Sequence, residues 1–263
     1  MPGCSITLLP LTGSQLEALD APTAARGWIS DGRVAQSRQI VKTPRTGDAC
    51  AYPQPGGQAL HIRAAAQAVA ARLIEQEAVL ADLDSQAGDG DLGASMVRGA
   101  EAILSLPEAA FNTPASACAA IADALRRAIA GSSGPFYAVG LLRAAASLGE
   151  TAQATAQQWA SAFTAAVDAV EELGGARVGD RTMVDALRPA AQAWAAALAE
   201  GQSPPAAYQT AIDAARQGAA ATSDMSPTLG RASYLGDRVK GVQDGGAVAV
   251  TVWLEAIATH LEA

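Results

Sequence analysis

The sequence predicts an all-α protein, an eight-helix antiparallel up-and-down barrel or bundle behind a largely irregular N-terminal extension. Three observations predict it. About a quarter of the 263 residues are alanine, the best helix former, while aromatics make up only 4% and the β-branched and aromatic residues that strands favour are sparse. From about residue 58 onward, apolar residues recur at the i, i+3, i+4 spacing of a helix face. Proline and glycine then interrupt that pattern at intervals of one helix length.

Residues 1–55 read as an extension and linker, and residues 56–263 as the helical domain. SITLL (5–9) is a short β-like run that would need a sheet to join. Glycine, proline, aspartate and serine follow in loose order down to KTPRTGDACAYPQPGG (42–57). Eight helical segments are expected after it, at 58–82, 92–105, 115–130, 134–148, 154–173, 179–199, 204–220 and 245–262. Pro107, Pro114, Gly149, Gly201, Pro204 and Pro205 separate several of them.

The net charge of −8 is the opposite of a nucleic-acid binder's basic footprint. The three cysteines, Cys4, Cys50 and Cys118, are odd in number, widely spaced and without a CxxC pair. They suggest neither a disulfide framework nor zinc and fit a reducing, cytoplasmic location. With only His61 and His260 present, a histidine-based metal centre has too few ligands. No uninterrupted apolar run reaches the roughly 18 residues of a membrane span, and no signal peptide is evident.

The links between segments fall into two sets. Those at 106–114, 149–153 and 200–203 are short or chemically plain. The others are LDSQAGDGDLG (83–93), GSSGP (131–135), GGARVGD (174–180) and the long stretch 221–246. In an up-and-down bundle alternate links share one end. The four glycine-, serine- and aspartate-rich links should therefore meet on a single rim, as a binding site would. Glycine also caps helices, which accounts for single links but poorly for all four.

Asp84, Asp89 and Asp91 lie within eight positions. Carboxylates so crowded usually hold a hard cation. Neither register of the loop fits an EF-hand: counted from Asp84 the fifth position is Gly88, and from Asp82 the sixth is Ala87. The spacing suits magnesium, which takes few carboxylates and completes its shell with water and phosphate oxygens. Gly93, Ala94 and Ser95 open the second helix, and GSSG places Ser132 and Ser133 before the fourth. A phosphate chain could lie between these two helix N-termini. No Walker A pattern occurs.

The motifs LDSQAGDGDLGASMVRG (83–99), GSSGPFYAVGL (131–141), VGDRTMVDALRPA (178–190) and GRASYLGDRVKGVQDGGA (230–247) together resemble the nucleotide-binding, DhaL-type C-terminal domain of dihydroxyacetone kinases. The resemblance covers roughly residues 58–263. It implies an eight-helix barrel binding ATP or ADP at one rim, with two magnesium ions held by Asp84, Asp89 and Asp91, the residues on which catalysis would centre. Leu92, Gly93, Ala94, Ser95, Ser132 and Ser133 match phosphate contacts. Gly174 and Met183 match the neighbourhood of adenine and ribose. Asp244, Gly245 and Gly246 match a segment closing over the nucleotide, and Arg231 belongs to the same motif. The family commonly has histidine where Leu92 and Val242 stand, and proline where Gly245 stands.

Residues 2–28 are similar to the end of the family's sugar-binding domain. The chain is therefore expected to carry the ATP half and to lack the sugar-binding half. The resemblance implies ATP- and magnesium-dependent phosphoryl transfer to dihydroxyacetone or a related small ketose held by a DhaK-type partner, with no nucleic acid or membrane involved. A homodimer is left open. Two alternatives remain: an ADP-bound phosphotransfer subunit of a phosphoenolpyruvate-dependent kinase, and a non-catalytic nucleotide-binding regulatory module. Elsewhere, Trp194, Leu198 and Trp253 read as core, and Arg126 and Arg127 as a solvated face. Arg177 and Arg181 either neutralise phosphate or pair with Asp180 and Asp185. Asp180 is expected to cap the sixth segment.

Overall fold

The structure is a computed structural model that describes residues 10–21 and 52–260. The β-like run SITLL lies outside the described residues. In the N-terminal unit the described residues, 10–21, hold one short helix, α1 (Gly13–Asp20). Thr12 and Gln15 form a reciprocal capping box at its start, which gives this short, apolar-poor helix a local reason to form.

The second unit, residues 50–263, is helical. It contains α2 (Ala59–Glu75), α3 (Glu77–Ala87), α4 (Leu92–Leu104), α5 (Pro114–Ala128), α6 (Ser133–Leu148), α7 (Ala156–Gly174), α8 (Val184–Ala199), α9 (Pro204–Ala221) and α10 (Gly245–Ala258), with short 3-10 turns between. In order, α2, α4, α5, α6, α7, α8, α9 and α10 each pack on the next, and α10 packs back on α2. That closes a ring of eight helices. α3 stands outside the ring order and rests on α4 and α10.

Two expected segments differ. The stretch 58–82 is not one helix: the chain bends at Gln76 (φ −92°, ψ 7°), where α2 ends and α3 begins. Hydrogen bonds run through the bend, from Gln76 N–H to Arg72 and from Leu80 N–H to the Gln76 carbonyl, so no breaker residue is needed. The bend carries Leu80 into the core, where it is fully buried. The segment begun at 179 becomes helical only at Val184, because Asp185 organises the preceding turn as described below.

Most core positions are alanines, which let helices approach closely but fill little volume. Larger side chains gather toward α7–α10, where Phe163, Trp194, Tyr208 and Trp253 meet in tilted and edge-to-face pairs with centroid separations of 4.9–6.1 Å. Trp194, Trp253 and Leu198 belong to this core, as expected. A cavity of about 670 Å³ remains inside the ring, lined by apolar residues such as Met96, Leu125 and Val167. Arg126 and Arg127 lie on an exposed face and pair with Asp123 on their own helix.

One end of the barrel is tied together by plain contacts. Asn112 holds Gly56 N–H (2.7 Å) and the Pro53 carbonyl (2.7 Å), and Gln58 exchanges two hydrogen bonds with the backbone of Ala154 (2.8 and 2.9 Å). Here α5 and α7 start with the capping boxes Thr113–Ser116 and Thr155–Gln158, and α9 starts with two prolines. Most first-turn donors at this rim are thus satisfied or absent. Among the described residues, no helix is long and apolar enough to cross a membrane.

Candidate functional site

At the other end the four unusual links meet. Asp84 sits in the last turn of α3, and its Oδ2 accepts the Leu92 N–H at 3.1 Å, folding the loop back onto the start of α4. Two glycines make the turn possible. Any side chain at Gly88 would overlap the Asp84 carboxylate, and Gly90 adopts φ +76°, which disfavours other residues. A third, Gly93, lets α4 press its first turn against the backbone of Glu77 and Ala81 in α3.

This fold of the loop gathers Asp84, Asp89 and Asp91. One carboxylate oxygen from each lies within 4.8 Å of the others; Asp84 is partly buried and the other two are exposed. At such separations each like-charged pair costs roughly 1 kcal/mol even in bulk water. Three hard oxygen donors gathered this way are of the type that magnesium or a similar cation takes.

At this end of the barrel Asp91 is the N-cap residue of α4 and Ser132 that of α6, and neither side chain closes onto its helix's N–H groups. These two N-termini are therefore disposed to receive an anion. Arg98 ties α4 to the end of α5: its Nη2 donates to Ser95 Oγ (2.7 Å) and its Nε to the Ala128 carbonyl (3.4 Å). Ser95 and Gly93 are buried, Ala94 and Ser132 exposed, and Ser133 and Leu92 intermediate.

The remaining links complete the circle. Gly174 ends α7 against the Phe136 ring of α6, where a Cβ would stand 2.9 Å from the ring. Met183 lies beside Gly246, and Gly245 is packed against Leu92 so closely that a Cβ would stand 2.8 Å from it. Thr228 donates its hydroxyl to Asp180, and Asp244 N–H donates to Thr222 Oγ1 at 2.8 Å. Asp244 also caps α10 by accepting the Ala247 N–H at 2.8 Å. The side chain of Arg231 lies outside the described residues.

Asp180 does not cap α8. Its carboxylate accepts the Arg177 N–H (2.7 Å) and the Thr228 hydroxyl, and these bonds hold its pKa down. The fully buried Asp185 does the organising, reaching back to accept the N–H groups of Gly179 (2.6 Å) and Thr182 (2.7 Å). A glycine at 218 lets α9 pass directly over the Asp185 carbonyl. The arginine alternatives resolve differently for the two side chains. Arg177 pairs with Glu171 at 3.8 Å. Arg181 turns inward, is 1% exposed, and donates from Nη2 to the Val242 carbonyl at 2.9 Å. Its φ of 61° is left-handed, a strain of about 1 kcal/mol or more for a residue with a Cβ.

Electrostatics tighten toward Asp244. Burial pushes its carboxyl up to about 6, and the charges of Asp185 and Asp84 add to this. The Ala247 N–H and the Arg181 guanidinium pull the other way. Burial likewise lowers Arg181, opposed by Asp244. Sequence reasoning had given no role to Arg98, Thr222 or Gly218. The last is a glycine inside a helix pattern, the one signal that could have marked a close backbone crossing.

The chain is thus a closed eight-helix barrel with a carboxylate cluster at the start of α4. The particular kind follows from comparison: the chain belongs to the DAK2 domain family, whose model matches residues 86–259. It is 30% identical over 159 residues to dihydroxyacetone kinase from Pichia angusta, covering 56% of this chain and 26% of the relative. It is 34% identical over 163 residues to a putative 3,4-dihydroxy-2-butanone kinase from Solanum lycopersicum, covering 58% and 27%. It is 32% identical over 154 residues to triokinase/FMN cyclase from Mus musculus, covering 56% and 27%. The chain thus spans about a quarter of the length of these relatives. The crystal structure of the dihydroxyacetone kinase of C. freundii superposes with a TM-score of 0.62 at 29% identity, covering 84% of this chain and 38% of that one. The same enzyme in complex with AMP-PNP and Mg2+ gives 0.61 at 27% identity, covering 85% and 38%.

Proposed function

We propose that this chain binds ATP with magnesium at the polar rim and transfers the terminal phosphoryl group to a hydroxyl of dihydroxyacetone or a related small ketose. The observation that carries this reading is the approach of Asp84, Asp89 and Asp91 to within 4.8 Å beside the start of α4. The nucleotide and Mg2+ in a relative at 27% identity support it.

In this reading Asp84, Asp89 and Asp91 hold the two cations, which bound here would neutralise the phosphate oxygens and the charge that develops on them. Leu92 to Ser95 and Ser132 with Ser133 offer N–H and hydroxyl donors to the phosphates. Gly174 and Met183 flank the base and ribose. Asp244, Gly245 and Gly246 border the nucleotide from α10, with Arg231 on the same segment. Such transfer is mostly positioning plus electrostatics. The other rim carboxylates Asp180, Asp185 and Asp244 are each committed to backbone N–H groups of the rim. The ketose is therefore presented by a DhaK-type subunit or domain seated over the rim.

The test combines the chain with ATP, magnesium, dihydroxyacetone and a DhaK-type subunit, following dihydroxyacetone phosphate. Product should require all four additions and vanish with D89N. A chain that binds no ATP in the presence of magnesium contradicts the proposal at its first step. Nucleotide exchange separates the donors: rapid release fits free ATP, whereas ADP retained through gel filtration points to a phosphocarrier.

A further inference from the structure

Arg181 is costly where it stands. Its guanidinium keeps its charge, is among the largest fully buried groups, and occupies a left-handed backbone position, the only non-glycine to do so among the described residues. Burying that charge is unfavourable unless its donors are used. Yet only Nη2 has an acceptor. Nε and Nη1 are buried with no hydrogen-bond partner among the described residues. A side chain kept for packing alone would be better served by an uncharged residue of similar volume.

Its surroundings suggest what the charge serves. The hydrogen bond to Val242 ties the turn before α8 to the segment that leads into α10. Two residues on, Asp244 starts α10 and lies within the field of Arg181 on one side and of Asp84 and Asp185 on the other. Gly245 and Gly246, next along the chain, touch Leu92 and Met183. One buried cation thus underlies the place where the carboxylate loop, the α7–α8 link and the closing segment meet.

We propose that Arg181 is a positioning residue that seats residues 241–246 at the rim and supplies the fixed positive charge that lets three acidic loops close around a nucleotide. It acts through Val242 and Asp244. This rests on the nucleotide reading above. It predicts that both the order of the segment and the affinity for nucleotide depend on the fork and charge at position 181.

The test uses the full chain as wild type, R181M and R181K. Affinity for AMP-PNP with magnesium is measured by calorimetry, and amide hydrogen exchange is compared at 241–247 and at 112–117 on the opposite rim. R181M should bind about tenfold more weakly or worse, the scale expected for a supporting residue. Exchange should quicken at 241–247 and stay unchanged at 112–117. R181K, which keeps the charge but not the fork, should fall between. Should R181M not fold, R181K carries the test alone. Wild-type affinity in the variants, or exchange that rises equally at both rims, overturns the proposal. If wild type itself binds no nucleotide, the functional reading fails, and the exchange comparison still decides whether Arg181 seats the segment.

Discussion

The two ends of the barrel are built from the same helices but satisfy their polar groups in different ways. At the plain end, Thr113 and Thr155 close capping boxes on α5 and α7, and Asn112 and Gln58 use their amides on neighbouring backbone. At the other end, the N-cap residues of α4 and α6 do not cap their own helices, Asp84 holds the Leu92 N–H, three carboxylates crowd together, and a charged arginine is buried. Each feature of the second end is unfavourable alone. Open N-termini want an anion, clustered carboxylates want a cation, and a buried arginine wants negative charge. The comparison teaches that one rim spends its polar side chains on capping and tying the fold, while the other gathers its charge at one place, which is where the proposed ligand would sit.

Substitutions at the two ends should therefore separate binding from stability. The largest effect is expected for D89N combined with D91N. Magnesium-dependent nucleotide affinity should fall by at least about 100-fold, a larger effect than any change in thermal stability. Titration calorimetry beside a melting curve checks both. Gly93→Ala should affect both properties. Its methyl group would press α4 off α3 and cost about 1–3 kcal/mol in denaturant unfolding, and displacing Leu92 to Ser95 should weaken nucleotide binding too.

A smaller effect is expected from Asp244. Its carboxyl, raised from 3.8 to about 6 mainly by burial, holds a proton in the folded chain that the unfolded chain has already released. Stability should therefore fall as pH rises from about 4 through 6, by roughly 1–2 kcal/mol. D244N, which can still cap α10, should be the more stable protein at pH 7, with the advantage vanishing near pH 4. Melting temperatures across that range decide it. The smallest effect belongs to the plain end: Thr155→Ala should cost about 1 kcal/mol of stability and leave nucleotide affinity unchanged.

Much of the barrel was legible because alanine-rich 3.6-residue periodicity and Pro–Gly breaks are local signals. The rim was legible because alternate links of an up-and-down bundle must share an end. Local signals failed where tertiary contacts decided. Nothing in LIEQEAV announces a bend at Gln76; it forms because Leu80 is drawn inward and Gly93 lets α4 meet α3. Asp180 looked like a cap because it precedes the helix pattern, but Asp185 reaches back from inside the first turn instead. The depth of Arg181 was invisible because its partner, the Val242 carbonyl, lies 61 residues away. The crowding of Asp84, Asp89 and Asp91 was legible, since the three lie within eight positions and glycines at 88 and 90 let so short a loop fold back on itself.

The central claim, that one rim alone takes a cation and a polyanion together, is tested most directly by paramagnetic broadening. Manganese replaces magnesium, and backbone amide resonances are recorded with and without AMP-PNP. The account predicts that signals of residues 88–95 and 131–134 broaden together when nucleotide and metal are both present, while those of residues 112–116 and 154–158 stay sharp. Broadening that spares residues 88–95, or that appears at the capped rim, would contradict it.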